Sequence, residues 1–379
     1  MIFDYETMRL IWWALLGALL IGFAITDGFD LGVAILLPFL GKNDSERRVI
    51  INAIGATWEG NQVWFVTAGG ALFAAWPMAY SVAFSGFYFA LLLTLFALFL
   101  RPIGFDYRSK LPSQKWRSNW DIALFVGGLV PALIFGVAFG NLLKGVPFYF
   151  DNDMRIFYTG SFWALLNPFS LAAGLVSLSM LIMHGAVFLQ IKTVGDINQR
   201  CKTVVIVFAS ITLIIFAIAG VWVANIDGYQ ISTEVLPNAP SNPLAKIVYK
   251  EPGLWLANYA HFPVLWLVPG LAFITGAATI LLSKIERPGL AFITSSLTLT
   301  TVILTAGVSL FPFLIPSSSA MNSSLTVWDA SSSLATLKIM FWVTLIFLPI
   351  VVAYTTWAFR VLRGKITLEH IHQNDHTAY

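Results

Sequence analysis

Thr26-Asp27-Gly28-Phe29-Asp30-Leu31-Gly32 and Thr57-Trp58-Glu59-Gly60-Asn61-Gln62 lie in two apolar runs joined by a charged turn, Gly41-Lys42-Asn43-Asp44-Ser45-Glu46-Arg47-Arg48. If both runs are helices, they are antiparallel neighbours. Asp30 stands about ten residues before the turn and Glu59 about ten after it, so at ~1.5 Å rise per residue both sit roughly 15 Å in from the same side. The spacing therefore predicts that acids on two helices meet at one depth. An acid at that depth in a membrane costs ~2.5–3.5 kcal/mol on insertion scales and marks a functional site by default.

The membrane setting follows from composition. The chain has 379 residues, 58% of them hydrophobic and only 11% charged, where a soluble domain is about a quarter charged. The fold class expected is all-α: a polytopic integral membrane protein of about nine transmembrane helices in packed bundles. The first residues carry Asp4 and Glu6 before the cation Arg9. That start lacks the basic region of a signal peptide, so the apolar run after it reads as an uncleaved first span. The single cysteine, Cys201, excludes an intrachain disulfide and a thiolate zinc site. Nothing in the charge pattern suggests nucleic acid.

Runs long enough to span, about 20 apolar residues each, fall at 10–40, 50–75, 80–100, 122–143, 161–190, 204–225, 259–282, 291–313 and 337–359. The second is interrupted by Glu59, Asn61 and Gln62, and dropping it would leave eight. The cations favour keeping it. With alternation through all nine, one side receives only Arg9, Lys144, Arg155, Lys246, Lys250 and Lys338, and the other receives the rest of the 22 lysines and arginines. By the positive-inside rule the N-terminus is then periplasmic and the C-terminus cytoplasmic. The whole chain, 1–379, reads as one transmembrane domain. It has a periplasmic loop at 226–258, long enough to cap the bundle, and a polar cytoplasmic tail at 364–379.

Asp27 and Asp30 are spaced i, i+3 and share a helix face, and Gly28 and Gly32 allow close approach by a neighbour. Two carboxylates in a dry site cannot easily both ionise, so they suit proton uptake and release; pairing with Arg or backbone donors is the structural alternative. Glu59 is a proton-path candidate of the same kind. Asn61 and Gln62 could order water, and Trp58 could pack on a flat cofactor or seal a water file, or the group could be interhelical hydrogen-bond glue. Arg101, before Pro102, could anchor lipid phosphate, pair with an acid or hold a cofactor propionate. Asp121 beside Trp120 is placed as a helix N-cap. Only His184 is clearly within a span, and it reads as a hydrogen-bonded core residue; His261 lies near a membrane edge, and His370, His372 and His376 in the tail. Several axial ligands would be needed for a haem-rich chain. No metal site in this chain is expected.

The sequence resembles subunit II of the cytochrome bd quinol oxidases. The resemblance is carried by Asp27-Gly28-Phe29-Asp30, Trp58-Glu59-Gly60-Asn61-Gln62-Val63-Trp64, Gly69-Gly70-Ala71-Leu72-Phe73-Ala74-Ala75-Trp76-Pro77, Arg101-Pro102, Phe105-Asp106-Tyr107-Arg108, Gly136-Val137-Ala138-Phe139-Gly140-Asn141 and Phe311-Pro312-Phe313. It covers essentially the whole chain. It implies a bacterial inner-membrane terminal oxidase that couples quinol oxidation to reduction of oxygen to water, with protons drawn from the cytoplasm. It also implies a heterodimer with subunit I, which holds haem b and haem d. Small accessory subunits, membrane lipids and a quinone bound in a groove of subunit II, as in some members, are further expected neighbours. Where several members have His before the Trp, and where Asp often follows it, this chain has Thr57 and Glu59. Together the two lines make Asp27, Asp30 and Glu59 proton-path candidates, and Trp58, Asn61, Gln62 and Arg101 candidates for a cofactor or intersubunit region. The other classes are an ion-coupled transporter and a purely structural subunit.

Overall fold

The computed structural model describes residues 3–367 and 369; the tail histidines His370, His372 and His376 lie outside them. The helices are α1 (Tyr5–Leu40), α2 (Asp44–Gly55), α3 (Trp58–Asn61), α4 (Val63–Ala75), α5 (Pro77–Gly86), α6 (Tyr88–Tyr107), α7 (Gln114–Lys144), α8 (Pro168–Lys192), α9 (Gly195–Val223), α10 (Ala257–His261), α11 (Leu267–Lys284), α12 (Pro288–Leu310) and α13 (Leu334–Val361). Three antiparallel hairpins complete the chain: β1 (Phe148–Phe150) with β2 (Ile156–Tyr158), β3 (Asp227–Ile231) with β4 (Val248–Pro252), and β5 (Phe313–Ile315) with β6 (Leu325–Thr326). Among the described residues, eight helices are long and apolar enough to cross a membrane.

The apolar run at 50–75 is not one helix. It is divided among α2, α3 and α4. Thr57 leaves helical geometry at φ −122°, ψ −22°, with its N–H and hydroxyl turned back to the Ile54 carbonyl. A hydroxyl that offers the backbone another partner disfavours continuous helix at such a point. The broken segment still runs from one face to the other. It begins beside the charged turn and ends where the Ser332 N–H donates to the Ala75 carbonyl at 2.8 Å. Ser332 in turn accepts from the Tyr5 hydroxyl at 2.7 Å, so α4 finishes at the face where α1 starts. The expected span at 80–100 is likewise two helices, α5 and α6, meeting at Phe87.

The turn face is knit by ions. Asn43 caps α2 by accepting the Glu46 N–H, and Glu46 reaches back to the Lys42 N–H, two orphan donors satisfied in the manner of a capping box. Arg108 and Arg47 bind Asp121, while Arg108 and Arg117 bind Asp44. Asp121 is therefore not an N-cap. α7 begins seven residues earlier with Ser113 as its cap, because helix continues past the apolar stretch into the charged layer.

On the N-terminal face the 232–247 stretch folds back over the start of α1. Arg9, fully buried, donates to the Pro237 and Ala239 carbonyls and to the Ser331 and Ser241 hydroxyls. Its guanidinium also lies over the Tyr5 ring. Lys246 meets Asp329 at 2.8 Å.

The deepest helix is α8, packed against α1, α7, α9 and α12. Glycines set the closest of these approaches. A Cβ at Gly32 would stand 2.1 Å from the Leu181 carbonyl oxygen, and one at Gly185 2.7 Å from the Gly32 backbone. The neighbour that Gly28 and Gly32 admit is thus a helix.

Gly32→Val should lower stability by about 3 kcal/mol, read as thermal unfolding of the detergent-solubilised protein. Gly17→Ala, where an added Cβ meets nothing within 4 Å, should be neutral or slightly stabilising. Burial opposes ionisation of Glu46, but bonds and charge from Arg200 and Lys42 outweigh it and hold the carboxyl below its ordinary value of 4.5. Its contribution is full above pH 4.5 and fades as pH falls through the lowered value. Glu46→Gln should remove that part of the acid limb of the unfolding curve.

Candidate functional site

Arg101 lies within α6, six residues before the helix ends at Tyr107, so it sits roughly 9 Å deeper than a residue at the helix end. It is fully buried. Its Nη2 donates to Asp27 Oδ1 at 2.8 Å and its Nη1 to Asp27 Oδ2 at 3.1 Å. This two-pronged ion pair excludes the lipid-anchor reading of Arg101. Burying two charges is costly unless the geometry is good and the remaining donors are satisfied, and Arg101 Nε has no partner.

Asp30, one turn further along α1, is also fully buried. Its Oδ2 accepts from Asn61 Nδ2 at 2.7 Å, while its Oδ1 has no hydrogen-bond partner. The i, i+3 acids therefore share a face but have different partners: Asp27 is tied to α6 and Asp30 to α3.

Trp58 and Asn61 point inward from the single turn of α3. Trp58 is buried and stacks on Phe105, ring centroids 5.2 Å apart, with the Arg101 guanidinium 5.5 Å from its ring centre. Close backbone approach by α7 closes the site: a Cβ at Gly127 would stand 2.9 Å from the Ala97 carbonyl oxygen, and one at Gly128 2.6 Å from that of Leu31. A small cavity beside the site is lined by Val33, Leu37, Ile50, Ile54, Phe105 and Leu124, all apolar.

Two of the residues singled out in the sequence are not in this set. Glu59 is exposed at the side of the chain. Residues adjacent on a helix do not face the same way, so a turn that points Trp58 and Asn61 inward turns Glu59 outward. Gln62 is half-buried at the break before α4 and outside the Asp–Arg–Asn contacts. Conversely, Phe105 and the Gly127-Gly128 pair belong to the site although no polar atom marks them. The glycine pair inside an apolar run was the available signal.

His184 on α8 is a core histidine. Its Nε2 meets the Ile25 carbonyl at 2.9 Å and its Nδ1 the Ser295 hydroxyl at 2.8 Å, and its ring stacks on Phe292. The carbonyl only accepts, so Nε2 carries the hydrogen. With both nitrogens engaged, His184 does not fit an axial haem ligand. No group of three or more His, Cys, Asp or Glu able to hold a metal occurs among the described residues.

Comparison with known proteins is consistent along the whole chain. The profile of the family described as "Cytochrome bd terminal oxidase subunit II" matches residues 8–362. The chain is 53% identical over 377 residues to the cytochrome bd-I ubiquinol oxidase subunit 2 of Escherichia coli strain K12, covering 99% of this chain and 100% of that protein. It is 51% identical over 376 residues to the probable cytochrome oxidase subunit 2 of Haemophilus influenzae, covering 99% and 100%. Among solved structures, the bd oxidase from Geobacillus thermodenitrificans shares the fold, with a TM-score of 0.69 at 16% identity over 94% of this chain and 98% of that one.

Removing one partner of a buried ion pair leaves an uncompensated charge. Arg101→Met should therefore cost about 3–5 kcal/mol in thermal unfolding. Adding Asp27→Leu should recover most of the loss, whereas two independent sites would give additive losses.

Proposed function

The chain belongs to the cytochrome bd terminal oxidase subunit II family, and from this premise we propose how its buried polar site serves the oxidase. The protein is a multi-pass subunit of a bacterial inner-membrane complex that couples quinol oxidation to reduction of oxygen to water. Its partner is the large subunit I, with small accessory subunits, quinone and lipids as further neighbours. The turn face is cytoplasmic and the N-terminal face periplasmic, a sidedness supported by the cation asymmetry. Haem b and haem d belong to subunit I, a reading supported by the engaged state of both His184 nitrogens.

The role assigned to this chain's own residues is to hold and pass a proton. The observation that carries it is Asp30: fully buried, hydrogen-bonded through one oxygen to a neutral amide, with no partner for the other. Asp27 is neutralised by Arg101. Asp30 is thus the acid whose charge is left for a proton to settle. The cavity between α1, α2 and α7 on the turn side of Asp30 is lined only by apolar side chains, Phe105 among them, and offers a proton no polar group. Protons therefore reach Asp30 from the side of α3, where Glu59 faces outward. An exposed glutamate amid Val63 and Val66, which are 43% and 71% exposed, is expensive against lipid and suits a surface covered by subunit I. Glu59 hands protons across that contact, and Asp30 buffers them inside.

Proton transfer by a positioned side chain is worth about 10²–10⁴ in rate. Glu59→Gln and Asp30→Asn should each slow quinol-driven oxygen consumption at least ~10-fold, in complexes that retain subunit I and both haem types by visible spectrum. Undiminished turnover in both variants would refute the proton role and leave a structural subunit. Ion flux by the purified chain alone in liposomes would favour the transporter class.

A further inference from the structure

α3 is one helical turn between two breaks, and it is held inward by Trp58 and Asn61. The Asn61 side chain meets Asp30 through Nδ2, and Asn61 itself is 2% exposed. A carboxylate can only accept hydrogen bonds, whereas a carboxylic acid must also donate one. A side-chain amide carries a donor and an acceptor on opposite sides of one rotatable bond. Asn61 can donate Nδ2–H to the carboxylate. By half a rotation it can present its oxygen to the acid, so the contact between α1 and α3 survives in both states. Neither Leu nor Asp at this position would do both.

The surroundings leave the task to Asn61. The charged groups acting on Asp30 are Asp27 on its own helix and Arg101 from α6, and Arg101 spends both Nη groups on Asp27. From α8, His184 is committed to Ile25 and Ser295. From α7, Gly127 and Gly128 approach the carbonyls of Ala97 and Leu31 and carry no side-chain donor. From α3, Glu59 points away.

We infer that Asn61 is a positioning residue that follows the protonation of Asp30 by rotating its amide, keeping α3, and with it Trp58 and Glu59, in place while the proton comes and goes. This rests on the proton reading of Asp30 and adds the group that reads its state. Because the amide bonds the charged form more strongly than the neutral one, its loss should shift the equilibrium between them by up to about ten-fold.

The test uses the intact oxidase complex. Infrared difference spectra taken across a pH titration would identify the Asp30 carboxyl band as the one lost in Asp30→Asn. With Asn61→Leu, that band should move and the pH profile of oxygen consumption should shift, while Asn61→Gln should restore the profile. A haem-replete Asn61→Leu complex with the band and profile of the unaltered protein would overturn the inference. If Asn61→Leu does not assemble, the unaltered complex labelled with ¹³C-asparagine decides. A label-sensitive amide band that changes in step with the Asp30 band upholds the inference, and a silent amide overturns it. An Asp30→Asn complex that loses no band and keeps its profile would instead defeat the underlying proton reading.

Discussion

Asp27 and Arg101 face each other fully buried, and that pair constrains the helices around it. A guanidinium with no aqueous alternative requires its carboxylate at a fixed distance and angle, which fixes α6 against α1. Small residues must then bring the remaining helices in: Gly127 and Gly128 let α7 close over the pair, and Gly32 and Gly185 let α8 close from the other side. Replacing such a pair by apolar residues of similar volume is often neutral or stabilising. Its retention is therefore a weak argument for stability. Its effect on Asp30 is a stronger one, since both Nη groups are given to Asp27 and the second acid is left with an amide.

The separation of roles between the two acids depends on the break in the second crossing. A continuous helix from Asp44 to Ala75 would carry Trp58 and Asn61 on whatever face its register dictated. Breaks at Thr57 and Gln62 allow one turn to be aimed independently of α2 and α4. That turn carries an apolar ring and an amide inward and a carboxyl outward. The price of non-helical backbone at this depth is tolerable because its polar groups are satisfied within protein.

Much of this was legible in the sequence. The burial of Asp30 on α1 followed from its place in an apolar run, and the chain does return from the turn to the face where α1 starts, through a segment that hydropathy alone would drop. What was not legible had specific causes. Of the three readings of Arg101, pairing with an acid could not be singled out because apolar character stops near it, while the helix does not; residues 102–107 add a turn and a half that hydropathy cannot see. Asp121 looked like a cap for the same reason. Glu59 was expected beside Asp30 because depth was counted and direction was not. The i, i+3 relation of Trp58 to Asn61 already held the direction, had one of them been known to face inward. The orphan atoms Asp30 Oδ1 and Arg101 Nε belong to tertiary geometry, which no spacing rule supplies.

The Arg9 contacts have a bearing on how the chain is made. Its partners lie 228 to 322 residues further along, so α1 enters the bilayer long before anything exists to cover its first cation. Until those residues are made, none of the groups that accept its hydrogen bonds exists. Arg9 is desolvated only once the 232–247 stretch and then Ser331 have emerged. Loop-closure entropy opposes contacts of such separation, and a chain that stops short of Ser331 lacks one of the groups that cover this cation.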